Sequence, residues 1–529
     1  MFSIIFVLSL AAIFFSARTL AAADNSEPHQ EDTHNDNHDD TQHQTPQDDA
    51  QTPEGGYDLS KDPNVAEINE LKAKAMAGDM EATFQLGKKF LLASYYTQAF
   101  QYFYQAARAG HLMACYYVGV CYIESFGTAK SKQNAILWLQ KAANEGLAEA
   151  QLLLGSALLE DAPDALDINT ALKWIEMAAS QGLPRAKYFL GMANLGLHDE
   201  HVDIKKALSL FAEGADQGDV LCQVALANIY YDSKLDAFFP EGVIAFEKSF
   251  HYYKLAAEQD NPEAMFYLAR QYHLGQGVEQ NQQEALKWYQ KAAEKKYPDA
   301  LYIMGKTYEF GDGVEPDMEK ALQYYRQGAD FGSTDSQLAL GRIYIEGQLI
   351  EKNQEEAIKW LTKAAQRKVP EAQYELGQIY EQGDGVEKDL SKAAWWYLKA
   401  AESGYGEAQY KIATCYRKGL GVPRDQARAL TWFNVASSNN VAEAQLELGT
   451  SYLLGRGVPE DHKLAYELFT KASEANNPFA QYNLGLCYEL GMGVEIDTEK
   501  ALELYLKSAD QGCEKAINRH KILTDVKNT

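Results

Sequence analysis

The sequence predicts an all-α protein, an α/α solenoid superhelix of about twelve helix pairs preceded by a disordered acidic segment. A small residue that opens an apolar helix face returns at intervals of 36 residues, except for one interval of 32 and one of 42. A period of this length is typical of stacked helix pairs, each of which buries its apolar face only against its neighbours. These anchor residues are Ala82, Ala114, Ala150, Ala186, Cys222, Ala264, Ala300, Ser336, Ala372, Ala408, Ala444, Ala480 and Ala516.

The helix pair is clearest in the repeat that begins at Ala372. Ala372, Leu376 and Tyr380 are spaced four residues apart, so they share one face of a first helix. Gly383 is expected to end this helix, because glycine adopts a positive φ without strain. Asp389 is expected to cap the second helix, because its carboxylate can accept a hydrogen bond from a free backbone amide.

Two further expectations concern how the pair packs. Gly377 lies inside the first helix, where glycine costs about 1 kcal/mol relative to alanine, and glycine recurs there in eight other repeats. We therefore expect the backbone of another helix to pass close to Gly377. Tryptophans that share one place on the second helix are expected to be core residues; they are Trp138, Trp174, Trp288, Trp360, Trp396 and Trp432.

The repeated pattern resembles the Sel1-like repeat, a relative of the tetratricopeptide repeat. It reads A-x-x-x-L-G-x-x-Y, then G-x-G-V, D, K-A, W-Y and K-A-A, and the resemblance covers about residues 65–520. It implies a right-handed α-solenoid that scaffolds protein complexes. Almost complete copies of the pattern occupy residues 264–297, 300–332, 372–404 and 480–512.

Composition and the repeat together divide the chain into six segments. The divergent early repeats lack G-x-G-V, which returns in most of the later ones. The prediction is a signal peptide at residues 1–23, a disordered acidic His-containing linker at 24–60, an N-terminal capping helix at 61–79, divergent Sel1-like repeats 1–5 at 80–260, regular Sel1-like repeats 6–12 at 261–512, and a C-terminal capping helix and tail at 513–529.

The first segment has the pattern of a secretory signal peptide. Residues 2–15 are almost wholly apolar, and three alanines follow at residues 21–23 before Asp24. Arg18 lies after the apolar run rather than before it, which leaves an uncleaved anchor as the alternative. We expect an exported protein, periplasmic or secreted, without an integral membrane span after cleavage. A eukaryotic secretory lumen is the alternative location.

The second segment is strongly acidic. Residues 24–60 contain eleven Asp or Glu residues and no Lys or Arg, a composition typical of disorder. Its histidines either bind a transition metal weakly or belong to a solvated spacer, and the lack of a fixed geometry favours the spacer. The whole chain carries a formal charge of −26, which argues against nucleic acid as a partner. These histidines are His29, His34, His38 and His43.

No motif in the sequence indicates catalysis. H-E-x-x-H, G-x-S-x-G and C-x-x-C are missing, and the recurring G-x-G belongs to the repeat and follows no strand. Some members of a cysteine-rich branch of the Sel1-like family are described as β-lactamase-like. That activity would need the S-x-x-K and K-T-G motifs, and both are missing from this sequence. We expect no catalytic residue, no cofactor and no metal, with a β-lactamase-like periplasmic enzyme as the alternative.

The six cysteines are interpreted as small core residues rather than as a disulfide framework. Cys121, Cys415 and Cys487 share one repeat position that in most other repeats holds Ile, Thr, Ser, Leu or Ala. The cysteine-rich branch pairs cysteines within each repeat, and that spacing does not occur here. Whether any cysteines pair is left open.

One row of basic residues stands out against the acidic composition. Arg270, Lys306 and Arg342 each lie six residues after the anchor in three successive repeats, on the side of the first helix away from the apolar face. Stacking of the repeats would place them in a basic ladder that holds an acidic partner segment. The alternative is local pairing, of Lys306 with Glu309 and of Arg342 with Glu346, on a solvated surface.

A second candidate contact lies in the longest connection. Between Tyr231 and Phe250 the fifth repeat carries six extra residues, and Phe238 and Phe239 lie within that connection. The loop either packs back on its own helices or projects as an apolar contact for a partner.

These observations together predict a non-enzymatic exported scaffold or adaptor that binds a protein or peptide partner through the groove of the solenoid. The alternative within the same class is a subunit of a lumenal quality-control complex, as the resemblance to eukaryotic Sel1-like proteins implies.

Export depends on the apolar run near the N-terminus. Replacing Ile5 and Val7 with lysine introduces two charges into that run, so we expect the protein to accumulate in the cytosol. Cell fractionation followed by immunoblotting measures the distribution, with Ile5→Leu and Val7→Leu as the apolar control. A lysine variant that is still found outside the cytosol would show that this run is not an export signal.

Overall fold

The computed structural model describes residues 65–160, 165–197, 203–231, 246–347 and 350–527, and these contain 26 α-helices and no strand. The predicted signal peptide, the acidic linker with its four histidines, and the loop with Phe238 and Phe239 lie outside the described residues. The predictions for these three segments therefore stay predictions.

A single helix, α1, precedes the repeats, and another, α26, follows them. Helix α1 is Val65–Met76 and α26 is Glu514–Lys527. The first helices of the twelve repeats are α2 (Met80–Leu92), α4 (Leu112–Glu124), α6 (Ala148–Glu160), α8 (Pro184–Met192, continued by the π-helical turn Ala193–Leu197), α10 (Val220–Tyr231), α12 (Pro262–Leu274), α14 (Pro298–Phe310), α16 (Thr334–Glu346), α18 (Pro370–Gln382), α20 (Gly406–Lys418), α22 (Ala442–Leu453) and α24 (Pro478–Leu490). The second helices are α3 (Tyr96–Arg108), α5 (Lys132–Asn144), α7 (Ala165–Ser180), α9 (Ile204–Asp216), α11 (Phe246–Glu258), α13 (Gln282–Glu294), α15 (Met318–Asp330), α17 (Gln354–Gln366), α19 (Leu390–Glu402), α21 (Gln426–Ser438), α23 (His462–Glu474) and α25 (Thr498–Asp510).

The described residues fall into two compact units: those up to 264 together with 276–278, and 265–275 together with those from 279 onward. In the first unit each helix from α1 to α11 packs against the next one along the chain. The same order holds from α13 to α26 in the second unit. Apart from α12, which lies at the boundary of the two units, each first helix from α4 to α24 thus contacts its own partner and the second helix of the preceding repeat. This arrangement confirms the fold class predicted from the period, an all-α solenoid of helix pairs.

The predicted helix ends of repeat 9 are confirmed. Gly383 has φ +80° and its amide donates to the carbonyl oxygen of Ile379 at 2.8 Å, which ends α18. Asp389 accepts a hydrogen bond from the amide of Lys392 at 2.9 Å, which caps α19. The amide of Asp389 also donates to the carbonyl oxygen of Tyr380 at 2.9 Å, so the cap of the second helix is tied to the end of the first.

The glycine inside the first helix packs against a ring, not against a helix backbone as the sequence analysis expected. A Cβ atom at Gly377 would lie 2.6 Å from Cδ1 and Cε1 of Tyr397, whose side chain is fully buried. Gly305 meets Tyr325 in the same way, also at 2.6 Å, and Gly485 meets Tyr505 at 2.7 Å. Because real carbon atoms do not approach this closely, the ring occupies the space that a side chain at the glycine position would need.

The expectation that the shared tryptophans form the core is confirmed in part: Trp360 is buried, and four others are partly buried and pack against the buried core, namely Trp138, Trp174, Trp396 and Trp432. Trp396 is half-buried, and the fully buried ring is the adjacent Tyr397. Among the six tryptophans only Trp360 is buried. The physical reason is the helical rotation of about 100° per residue, which directs one of two neighbouring aromatics into the pair and the other to its edge. At that edge lysines cover the indole rings; Lys291 Nζ lies 4.1 Å from the ring centroid of Trp288.

A buried glutamine follows the anchor in many repeats and joins three helices. In repeat 10 the side-chain amide of Gln409 donates to the carbonyl oxygen of Ala401 at 3.3 Å, near the end of the preceding second helix. Its Oε1 atom accepts from Nδ2 of Asn439 at 2.7 Å, at the end of its own second helix. Repeat 9 lacks the second bond, because Ser403 stands in the place of Asn439, and Oε1 of Gln373 is buried without a partner.

A side chain at position 377 would have to displace the buried ring of Tyr397. Gly377→Ala is therefore expected to lower the free energy of unfolding by about 1–3 kcal/mol, although alanine normally favours a helix, and Gly377→Leu by more. Thermal unfolding of the full chain measures the effect. Ser391→Ala on the exposed face of α19 is the control and should change the midpoint little. An unchanged midpoint for Gly377→Leu would contradict the ring contact.

The buried Oε1 atom of Gln373 in repeat 9 can be given a hydrogen-bond donor by substitution. Ser403→Asn places an amide where Asn439 stands in repeat 10, so we expect a gain of about 0.5–1.5 kcal/mol from one additional hydrogen bond. The converse change, Asn439→Ser, leaves Oε1 of Gln409 without its donor and should cost about 1–3 kcal/mol. Chemical denaturation compares the two variants with the wild type. Two shifts of the same sign would argue against the glutamine network.

Candidate functional site

The three basic residues singled out in the sequence are all exposed in the structure. Arg270 lies on α12, Lys306 on α14 and Arg342 on α16, each at the same place in its first helix. Helices α14 and α16 are in contact, so the first helices of these successive repeats are neighbours. We use the term charged row for the residues at three, six and nine positions after the anchor on the first helices of the second compact unit.

Arg342 is already engaged, although not with the residue that the sequence alternative named. Its Nε atom lies 2.6 Å from Oε1 of Glu375, on the first helix of the next repeat. The proposed local pair with Glu346 is not the one formed. The side chain of Glu375 is only 15% exposed, and burial raises its pKa while the guanidinium opposes that shift. Arg342 therefore offsets part of the cost of burying this carboxylate.

Lys306 has a different environment. Its Nζ atom lies 5.9 Å from the ring centroid of Tyr302, and it makes no ion pair among the residues that the structure describes. The local pair with Glu309 is not formed, because Oε2 of Glu309 accepts a hydrogen bond from the hydroxyl of Tyr325 at 2.5 Å. The charge of Lys306 thus remains available to a carboxylate from outside the chain.

The charged row also contains ion pairs that the sequence analysis missed. Glu381 and Lys411 lie 2.9 Å apart, and they belong to the first helices of repeats 9 and 10. Arg417 and Glu447 pair across repeats 10 and 11, with Nη2 2.9 Å from Oε1. Each pair joins the ninth residue after one anchor to the third residue after the next. In the sequence, both ion pairs are visible as opposite charges that lie 30 residues apart.

A row of half-buried tyrosines runs beside these charges. Each lies two residues after its anchor and packs against the buried ring of its own second helix, as Tyr374 does against Tyr397 with ring centroids 5.6 Å apart. Burial raises the pKa of Tyr374, so its hydroxyl stays protonated at neutral pH. Aromatic rings with one polar edge in solvent are enriched in protein-binding surfaces. The row consists of Tyr302, Tyr374, Tyr410 and Tyr482.

The described part of the chain offers little for catalysis or metal binding. No group of three or more His, Cys, Asp or Glu residues there is arranged to hold a metal ion. All six cysteines are buried and unpaired, and burial raises the pKa of the Cys121 thiol to about 12 and that of Cys415 to about 11. A thiol with so high a pKa is not a nucleophile at neutral pH. No helix in the described segments is both long enough and apolar enough to cross a bilayer.

The second glycine of G-x-G has a packing role. A Cβ atom at Gly421 would collide with the carbonyl oxygen of Leu390, and one at Gly493 with that of His462. Each loop is thus pressed against the start of the preceding repeat's second helix. Packing between successive repeats accounts for these glycines without a nucleotide.

Comparison with known proteins identifies the repeat. The family model described as Sel1 repeat matches twelve times, at residues 84–111, 112–147, 148–183, 184–219, 221–261, 262–297, 298–333, 334–369, 370–405, 406–441, 442–477 and 478–513. A search of the curated proteins gave no match.

Two of the solved structures to which this chain is similar come from bacteria. A protective antigen of uropathogenic Escherichia coli with an SLR fold is 27% identical, with a TM-score of 0.51, over 86% of this chain and 93% of that chain. A Sel1 repeat protein from Oxalobacter formigenes is 32% identical, with a TM-score of 0.45, over 60% of this chain and 90% of that one. Sel1 repeat solenoids commonly serve as non-enzymatic scaffolds for protein interaction. The chain belongs to the Sel1 repeat family.

Proposed function

We propose that this protein is an exported, non-enzymatic scaffold that binds a protein or peptide partner along the first helices of its second compact unit. The observation that carries the proposal is the charged row beside the half-buried tyrosines, in which Lys306 has no ion-pair partner among the described residues. Tyrosine rings supply contact area at low cost in side-chain entropy, and unpaired charges supply specificity.

The chemistry of the row favours an acidic partner segment. Arg270 and Lys306 are exposed on successive repeats of a chain whose formal charge is −26. A cationic strip on an acidic molecule steers an acidic segment to one place and repels it elsewhere. Arg342 plays a smaller part in this proposal, since its guanidinium is paired with Glu375.

Two parts of the proposal rest on sequence alone. The apolar residues 2–15 and the alanines before Asp24 support export to a periplasmic or secreted location. The loop with Phe238 and Phe239 remains a candidate second contact for the same partner.

The basic ladder is tested by reversing the charges of Arg270 and Lys306, which are both exposed. Arg270→Glu combined with Lys306→Glu should weaken binding of a partner by about 1 kcal/mol or more, and more strongly at low salt, because exposed charges are screened over about 8–10 Å. Arg342 is left unchanged, since a glutamate there would face the mostly buried Glu375. A partner retained from native extract by the full chain is identified and produced, and its affinity is measured by calorimetry.

The matched control reverses a lysine on a second helix. Lys287→Glu alters an exposed side chain, paired only with Glu284 three residues earlier, outside the charged row. It should leave affinity unchanged. Equal binding by the double variant and the wild type at low salt would reject the ladder as the contact surface.

A further inference from the structure

Three arginines surround a cavity between repeats 10 and 11. The cavity has a volume of about 440 Å³, and its lining includes Arg417 at the end of α20, Arg424 in the loop before α21, and Arg456 in the next repeat's loop. Gln426, the first residue of α21, and Glu447 on α22 complete its polar wall. The cavity is partly open to solvent.

The arginines differ in how they are engaged. Arg417 is held by Glu447 through both of its terminal nitrogens. Arg424 and Arg456 are exposed, and their side chains make no hydrogen bond or ion pair with the described residues. Three cations and one carboxylate leave this wall with a formal charge of +3 − 1 = +2, on a chain that is strongly acidic overall.

The repeats supply an internal comparison. Between repeats 8 and 9, the loop residue Asp384 accepts from Nε2 of Gln354 at 2.6 Å and lies 3.2 Å from Nζ of Lys352. Lys352, Gln354 and Asp384 lie 72 residues before Arg424, Gln426 and Arg456 respectively, at the same places in the repeat. The hydrogen-bond donors Lys352 and Gln354 thus correspond to the donors Arg424 and Gln426 between repeats 10 and 11. The acceptor Asp384, however, is replaced there by Arg456.

Packing of the loop holds Arg456 near those donors. A Cβ atom at the following residue, Gly457, would lie 3.1 Å from Cγ of Gln426 and 3.0 Å from Cδ1 of Leu430. The loop therefore lies directly on the first turn of α21. The position that Asp384 fills in the earlier junction is consequently surrounded by donors and open to a ligand.

We propose that this cavity is a binding site for a phosphate monoester. Two unpaired guanidinium groups present paired N–H donors, the geometry that phosphate oxygens accept in bidentate fashion. The side-chain amide of Gln426 adds a neutral donor, as Gln354 does toward Asp384. The formal charge of +2 matches a phosphate dianion better than a single carboxylate.

Two hydroxyls in the wall are not counted as donors to the ligand. Thr450 Oγ1 donates to the carbonyl oxygen of Leu446 at 2.8 Å, and Ser451 Oγ donates to that of Glu447 at 2.8 Å. Binding is assigned to Arg424, Arg456 and Gln426, with Arg417 supplying charge from its ion pair. The cavity is larger than a phosphate group, so it has space for the group that carries the phosphate.

Titration of the full chain with inorganic phosphate tests the site. Isothermal calorimetry, against chloride at equal ionic strength, should show one saturable site per chain. Arg456→Asp recreates the residue of the earlier junction, which would pair with Arg424 and Gln426 inside the chain. We expect this variant to fold, to raise the midpoint of thermal unfolding, and to weaken phosphate binding about tenfold or more.

The control variant also removes one arginine, but one that lies outside the cavity. Arg428→Gln alters an exposed arginine on α21 that pairs with Asp425, Nε lying 3.3 Å from Oδ2. It should bind phosphate as the wild type does. Wild-type protein without saturable phosphate binding, or Arg456→Asp with unchanged affinity, would overturn the proposal.

Two further titrations distinguish the source of the phosphate. A peptide with one phosphoserine that binds more tightly than inorganic phosphate would assign the site to a phosphorylated protein, and equal affinities would assign it to a small phosphate ester. A glutamate peptide that binds as tightly as the phosphopeptide would overturn the choice of phosphate. These results do not depend on the acidic partner proposed for Arg270 and Lys306, since both residues are intact in every variant.

Discussion

The structure depends on a contact that recurs in nine of the twelve helix pairs, between a glycine of the first helix and a buried side chain of the second. In six of these pairs the buried side chain is an aromatic ring. Tyr397 fills the space above Gly377, and Tyr325 and Tyr505 do the same in their repeats. Because the ring is fully buried and the glycine has no side chain, the two helices approach closely along a narrow strip. A solenoid has no central core, so a strip of such contacts, repeated along the stack, must supply the burial.

Polar contacts then fix how one repeat sits on the next. The glutamine after the anchor bonds to the preceding second helix and, in repeat 10, to its own. The second glycine of the loop lies against the start of the previous second helix. These contacts set the spacing of the repeats, and the spacing decides which surface charges meet. Arg342 meets Glu375, and Arg417 meets Glu447, across successive first helices.

At the proposed binding surfaces, the pairing of opposite charges across successive repeats is interrupted. Lys306 has no acid opposite it among the described residues, and Arg424 and Arg456 have no carboxylate between them. A repeat protein with near-identical junctions makes such departures easy to recognise, because each junction serves as a reference for the others. The contrast between Asp384 and Arg456 is informative for this reason, since the two residues occupy one position in the repeat.

The sequence by itself determined the helix pairs, their ends and the family resemblance, because these follow from local spacing, as with Gly383 and Asp389. It also identified the exposed cations of the candidate site. Only the tertiary structure decided which aromatic is buried, since Trp396 and Tyr397 are adjacent and a small helix rotation separates core from edge. It likewise decided that Arg342 pairs across repeats, because residues 33 apart in sequence meet only once the repeats have stacked.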